Sequence, residues 1–505
     1  MKKTILYIAM TLIGLTACTD SFLVVKPTAQ ILESDFYTTQ ERIEKALVAA
    51  YDPLTWPDMI NDNNSKYYPQ ALVSDVMSDD VKVGGGDVND IQYLHKMRDF
   101  AATPELTPIG IWVAYYSGIN RVNIVIDKMP GITDISDTRK DQILAEAHGL
   151  RAYYYYWLWK LWGNVPYFST NPTTTPFIVP QITADQLYPH IISDLDYAIQ
   201  SVNLNEITKD VTQKGRVTKD MVRMLKAQTV LYQKDASKYS EVLIDMEAII
   251  TSSRYSLQPS FASIFKDAGE WCAESIWEIN YTDNGNRGWD IVPHTGGSVY
   301  PQLIGINASE GPDFVKGWGF EPVEKALYDL YETGDQRRDY GILNFAKYKL
   351  AETSASYTPR FEDTGYFNLK YIGRIGGNSG NTSDPMFNFR NNLRIFRYAE
   401  TLLIASELQL RIPGGDITKA QTSLNAVRKR AFNSTTHSVT ANLDNILKER
   451  RIELAFEGQR FWDLVRFDKA IEVLGARGYS DAKKHLPIPS SEIDKAKGTL
   501  TQNPY

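Results

Sequence analysis

The chain is 505 residues long, with 54 Lys and Arg against 61 Asp and Glu for a formal net charge of −7. That balance excludes nucleic acid and anionic lipid headgroups as its main partners, since both are bound through clustered positive charge. Two cysteines exclude a disulfide-built scaffold, and a chain of this length buries a core large enough to need none. Composition is otherwise ordinary except for 30 Tyr, 19 Phe and 10 Trp, a level that suits a secreted protein with much amphipathic contact surface.

Lys2 and Lys3 precede an apolar run from Ile5 to Leu15, then Thr16-Ala17-Cys18. A short basic region, a brief apolar core and small residues make a secretory signal peptide over residues 1–17. Its apolar core is well short of the ~20 residues that a bilayer-spanning helix needs. Leu15-Thr16-Ala17-Cys18 also has the form of a bacterial lipobox, so Cys18 is the expected lipidation site and residues 18–38 a lipid-anchored tether. No later stretch is long and apolar enough to span a membrane, which leaves the N-terminal lipid as the expected membrane contact.

Apolar spacing predicts helices over Thr39–Tyr51, Ile109–Lys128 and Thr138–Trp162, the last with Asp137 as its cap and Gly163 as its stop. The run Tyr153–Trp159 is aromatic on every face, which marks core. Between the first two helices, Asn61–Thr103 is polar and glycine-containing and reads as loop. Helices follow at Thr183–Val202, Thr218–Lys234 and Tyr239–Ser252. Trp271 and Trp277 flank Cys272 near a strand and read as core.

From Asn280 to Gly319 no helical period survives and glycine recurs, yet the stretch keeps Tyr281, Trp289, Tyr300, Phe314 and Trp318. Disordered segments are poor in aromatics, so an ordered surface platform fits better. Glu321–Glu332 reads as a helix, Tyr357–Leu393 as irregular with a strand-like alternation at Tyr366–Tyr371. Helical pairs return at Arg397–Arg411 and Asp416–Phe432.

Asp444–Phe467 divides at Gly458 into two amphipathic segments, and Gly458 suits the C′ position of the first. Glu449, Glu453, Glu457 and Asp463 lie among Arg450, Arg451, Arg460 and Arg466, so ion pairs within and between the helices are available. Helix-surface charges mostly only solvate, which makes this hairpin architecture rather than a site. The successive C-terminal helices resemble tetratricopeptide-type units in architecture.

Arg397-Tyr398-Ala399-Glu400-Thr401-Leu402-Leu403, then Leu424–Ala431, then Glu449–Arg460 with Asp463-Leu464 behind it, and the tail Leu486-Pro487-Ile488-Pro489 with Leu500–Pro504 coincide with the lipobox. Together they resemble the SusD/RagB family of Bacteroidota outer-membrane lipoproteins, over nearly the whole chain. The resemblance implies a mainly α fold: tetratricopeptide-like helical pairs as scaffold, over about 39–260 and 395–475 of a single domain spanning 39–505. An irregular face with short strands would occupy about 270–394. It also implies a non-catalytic, surface-exposed outer-membrane lipoprotein that binds an oligosaccharide, in some members a peptide. Such a protein acts as lid and delivery partner for a SusC-type TonB-dependent transporter, without cofactors.

A sugar-binding lid needs flat aromatic faces for the C–H faces of pyranose rings, ringed by groups that take hydroxyls. The Asn280–Gly319 loop offers both: Trp289, Tyr281, Trp318 and Tyr300 beside Arg287, Asn286 and Asp283. Trp289 ranks first, because a glycine and an arginine precede it in a polar context. Asp79, Asp80 and Tyr93 are added from the N-terminal loop. Among the alternatives, a surface glycoside hydrolase would need two carboxylates flanking a glycosidic bond, and adjacent Asp79-Asp80 suit that poorly. No His-Glu-x-x-His, closed nucleophile elbow or phosphate-cradling loop is present. A helical-repeat lipoprotein serving only as an assembly scaffold is the other alternative.

Overall fold

The computed structural model describes residues 36–60, 67–207, 210–289, 296–380 and 383–505. The expected signal peptide and Cys18 lie outside the described residues, as do Asn61–Asn64.

Eight helices build the scaffold: α1 (Gln40–Tyr51), α2 (Ile109–Lys128), α3 (Asp137–Trp162), α4 (Ala184–Gln200), α5 (Lys219–Gln233), α6 (Tyr239–Thr251), α7 (Tyr398–Arg411) and α8 (Ile417–Phe432). Each packs on the next in that order, so the series reads as four stacked helical pairs. The caps follow local chemistry. Thr183 and Gln186 form a reciprocal capping box at α4, and Asp416 accepts from Thr418 and Lys419 at α8. At α3 the cap is Ser136, whose hydroxyl accepts from the Arg139 amide, and not Asp137, which is the first helical residue.

α3 is the spine of the core. Every residue of Tyr153–Trp159 is buried, and the tyrosines find acceptors there. Tyr153 donates to Gln70 Oε1 at 2.9 Å, Tyr154 to the Ala50 carbonyl at 2.7 Å and Tyr156 to Gln228 Oε1 at 2.9 Å. A helix apolar on all sides is stable only when neighbours cover it all round, as α2, α4 and α5 do here.

Strands are few and short. β1 (Val165–Pro166) pairs with β2 (Gln181–Ile182), β3 (Ser275–Ile279) with β6 (Leu393–Arg397), and β4 (Ile342–Asn344) with β5 (Tyr366–Asn368), all antiparallel. The β3–β6 pair positions the site. The chain leaves the scaffold at the end of β3, makes its irregular excursion, returns in β6 and runs straight into α7. Both ends of the excursion are therefore tied to one another by main-chain hydrogen bonds.

Several expectations change. The supposed loop before α2 contains helices Gln70–Asp75 and Gln92–Arg98, each under two turns and held by packing that periodicity cannot register. Only Lys325–Leu330 of Glu321–Glu332 is helical, because the amide of Glu321 bonds to the Val83 carbonyl and Val81 bridges Val323 in extended geometry. Trp277 is core as expected, whereas Trp271 is half-buried and donates from Nε1 to Asn280 at 3.0 Å.

The C-terminal hairpin differs most. α9 (Leu443–Glu453) ends at Leu454, so Gly458 is not its C′ residue. With φ +70° it turns the linking segment into α10 (Arg460–Arg466). α9 leans on α7, and α10 on α5 and on Gln70–Asp75, so the hairpin folds back across the stack and does not extend it. Glu449, Arg450, Glu453, Arg460, Asp463 and Arg466 are buried, not solvated. Glu453 accepts from Arg337, Arg397 and Arg430, Glu457 from Arg397 and Lys370, and Glu449 from Arg337 and Arg428. Burial alone would raise these acids; for Glu457 the neighbouring Arg397 and Lys370 outweigh it and hold the carboxyl below its ordinary range.

Candidate functional site

The excursion is fastened to the scaffold before it displays anything. Buried Asp58, just after α1, accepts from Tyr281 Oη at 2.9 Å, from the Val299 amide at 3.1 Å and from the Ser298 hydroxyl. Arg287, fully buried, donates to the Gly297 carbonyl at 2.5 Å and the Thr55 carbonyl at 3.2 Å. Burial pushes Asp58 up, and Ser298, Arg287 and Tyr281 act against it. Two glycine contacts explain the density of that residue here. A Cβ on Gly297 would sit 2.1 Å from Asn388 Cα, and one on Gly317 would sit 2.2 Å from Gly305 Cα.

On this footing four rings from separate parts of the chain meet. Trp289 stacks on Trp318 with centroids 6.0 Å apart and planes at 29°, and meets Phe387 edge-on at 5.0 Å. Tyr67 packs edge-on against Trp318 at 5.4 Å and lies parallel to Phe387 at 6.4 Å. Phe387 is the buried base, Trp318 and Tyr67 are half-buried, and Trp289 is 51% exposed. Such exposure of a tryptophan on an otherwise ordered aromatic base is the arrangement that receives another flat, partly apolar body.

The platform backbone is held from beneath. The Trp318 amide donates to the Gln302 carbonyl at 2.9 Å and its carbonyl accepts from Arg360 at 2.7 Å. The Trp289 amide donates to Asp384 Oδ2 at 3.1 Å, and Asn388 bridges the Arg287 and Asp384 carbonyls at 2.9 Å each. Polar groups border the rings. Arg360 lies 3.7 Å from Asp90, whose Oδ2 accepts from the Gly86 amide. Burial, with Asp90's charge adding to it, pushes the Tyr67 hydroxyl up to about 12, so it stays protonated and able to donate.

The structure separates the ten expected ligand residues. Trp289 and Trp318 come together, and exposed Asn286 lies on the same loop. The others are framework. Tyr281 is tied to Asp58, and Arg287 is enclosed. Tyr300 is buried with its hydroxyl on Glu321 at 2.7 Å. Asp283 accepts from the Gly380 amide at 3.0 Å and Arg390 at 2.7 Å, which joins two loops. Tyr93 is buried, and its hydroxyl donates to the Tyr67 carbonyl at 2.8 Å, so it positions the platform without facing it. Asp79 pairs with Arg460 and Arg451 at 2.8 and 2.9 Å, and Asp80 with Arg451. Both aspartates therefore clamp the N-terminal region to the C-terminal hairpin. They do not form a carboxylate pair facing substrate. Tyr67, Phe387, Arg360, Asp90 and Asp384 escape sequence reasoning, because nothing local to them signals an association across some 300 residues of chain.

A cleft of about 630 Å³ lies elsewhere, lined by Trp112, Tyr116, Phe168, Phe177 and the 492–500 tail, and it shares no residue with the platform.

Comparison with known proteins places these observations. A SusD family model matches residues 344–505, and a second, described as starch-binding associating with outer membrane, matches residues 21–220. Surface glycan-binding protein A from Bacteroides thetaiotaomicron, solved in complex with laminarihexaose, is 43% identical. The match covers 93% of this chain and 100% of that one, with a TM-score of 0.86. A laminarin-binding SusD-like protein is 31% identical over 93% of this chain and 100% of its own, with a TM-score of 0.83. SusD-like protein P38 of Formosa agariphila is 28% identical over 94% of both chains.

Proposed function

This chain belongs to the SusD/RagB family, and we propose that it is a non-catalytic surface glycan-binding protein whose platform of Tyr67, Trp289, Trp318 and Phe387 holds an oligosaccharide of the laminarin type. The observation that carries the reading is the half-exposed Trp289 ring stacked on Trp318, bordered by a guanidinium and carboxylates that suit sugar hydroxyls. The laminarin class is supported by two solved relatives described as binding laminarihexaose or laminarin. Asp79 and Asp80, both engaged by arginines, leave a glycosidase reading without its carboxylate pair. Titrating laminarihexaose into the protein by calorimetry tests the proposal. Saturable binding that weakens in Trp289→Ala supports it, and full affinity in that variant overturns the site.

The reading extends to location and partner. Residues 1–17 act as a signal peptide, Cys18 carries the lipid, and residues 18–38 tether a single domain to the outer surface of the outer membrane. There the domain serves as lid and delivery partner for a SusC-type TonB-dependent transporter. Family membership and the lipobox spacing support this. Radiolabelled fatty acid should enter the wild type and not Cys18→Ser. An affinity-tagged chain solubilised from its own membranes should bring the transporter with it, and recovery of the chain alone would defeat the partnership.

A further inference from the structure

The rings of the platform are neutral, so the charge a ligand meets there comes from the side chains at their edges. Acids stand at both ends. Beside Trp318 and Tyr67, Asp90 accepts from the Gly86 amide at 2.8 Å, and its charge reaches the Tyr67 hydroxyl. Beside Trp289 and Phe387, Asp384 Oδ2 accepts from the Trp289 amide at 3.1 Å, and the Asp384 carbonyl accepts from the Phe387 amide at 3.2 Å. Asp87, exposed on the same turn as Asp90, adds a third carboxylate. Positive charge does not match them. Arg360 supplies it at the rim, with Nη1 on the Trp318 carbonyl at 2.7 Å and Nη2 3.7 Å from Asp90. One guanidinium thus answers one of these carboxylates, across a gap too long for a hydrogen bond. Asp384 and Asp87 take part in no ion pair among the described residues. Other basic groups nearby are already matched. Arg287 is enclosed and faces Asp58, Arg390 pairs with Asp283 and Asp267 at 2.7 and 2.8 Å, and Lys316 with Glu310 at 2.7 Å.

We infer that the platform accepts uncharged glycans and turns away those carrying carboxylate or sulfate groups, with Asp90 and Asp384 as the residues that set this selectivity. The inference deepens the glucan reading above and rests on it. The rings alone do not discriminate, since an acidic pyranose presents the same C–H face to an aromatic surface as a neutral one. The rim does. An anionic group on a sugar seated over Trp289 and Trp318 approaches one acid or the other whichever way the chain runs, because the two flank opposite ends. Like charges brought together beside apolar rings lower affinity. A neutral hydroxyl meets the same carboxylates as hydrogen-bond acceptors, and bonds to a charged acceptor are the stronger kind. The groups that repel an acidic sugar therefore hold a neutral one.

Laminarin as its carboxymethyl ether and as its hydroxyethyl ether, at equal substitution, separates charge from bulk. By calorimetry at low salt, the carboxymethyl form should bind at least about tenfold more weakly than the hydroxyethyl form. In about 0.5 M sodium chloride the gap should narrow to about threefold or less, while laminarihexaose affinity stays the same. Asp90→Asn and Asp384→Asn keep an acceptor for the Gly86 and Trp289 amides and remove the charge. Combined, they should close most of the low-salt gap. Equal affinity of the wild type for the two ethers, or an undiminished gap in the double variant, would overturn the inference. Absence of laminarihexaose binding by the wild type would overturn the platform reading itself, a result distinct from a platform that binds glucan without regard to charge.

Discussion

Arg397 and Glu453, 56 residues apart in the chain, meet at 3.0 Å in the interior, with the arginine at 1% exposure and the glutamate at none. Glu453 also receives Arg337 and Arg430, so one carboxylate on α9 joins β6, α8 and the segment before β4. That makes the hairpin a keystone of the scaffold, and the same logic of long-range tethering runs through to the aromatic platform.

Glu453→Gln removes the charge at this hub and keeps its shape. Three guanidinium groups then share too little negative charge, and the expected loss is about 3–5 kcal/mol. Urea denaturation followed by fluorescence measures it. A loss under about 1 kcal/mol would mean the hub is not needed.

Trp289→Ala should weaken laminarihexaose binding roughly 3- to 10-fold, since one aromatic contact supplies ~0.5–1.5 kcal/mol. Its melting temperature should stay close to wild type, because the ring is half in solvent. Trp318→Ala should lose affinity and also stability, since that ring packs on Tyr67, Phe387 and Trp289. Calorimetry and thermal melts of the two variants side by side separate contact from support.

Tyr93→Phe deletes only the hydroxyl that holds the Tyr67 carbonyl. Stability should fall by about 1 kcal/mol and affinity by about twofold, as Tyr67 gains freedom. Asp79→Asn should cost stability with affinity unchanged, because Asp79 faces Arg451 and Arg460 and not the platform. A larger affinity loss in Asp79→Asn than in Tyr93→Phe would reverse these assignments.

Glu321 lies three residues beyond Trp318 and is 1% exposed. Burial pushes its carboxyl up to about 8, and Asp75, also buried, is raised by burial, then by Glu321 and Asp80. The folded state thus holds the Glu321 proton more tightly than the unfolded chain does. Its contribution is full below about pH 4.5 and falls by up to ~1.4 kcal/mol per pH unit until about pH 8. Glu321→Gln cannot ionise, so wild type should lose stability relative to this variant between pH 5 and pH 8. Parallel stability profiles would refute the shift.

Much of the scaffold is legible locally. α2 begins and ends where apolar spacing places it, and Tyr153–Trp159 is core because no face of that helix is polar. Trp289 stands out in the sequence through its glycine and polar neighbours, and it is the exposed ring. Tyr300 and Tyr281 have similar neighbours and face the other way, because Glu321 and Asp58 take their hydroxyls. The pair Asp79-Asp80 reads as an exposed acidic spot until Arg451 arrives from 371 residues away.

The helical series, the aromatic spine and the family resemblance were legible along the chain, since these rest on neighbours within a few residues of one another. Long-range packing selects which aromatics of the excursion reach solvent and brings Tyr67 and Phe387 to them. It also encloses Glu449, Arg450, Glu453, Arg460 and Asp463, with Arg451 only partly covered. Burial and ion pairing depend on the partner brought alongside, and here each partner comes from a distant segment with no periodicity linking the two.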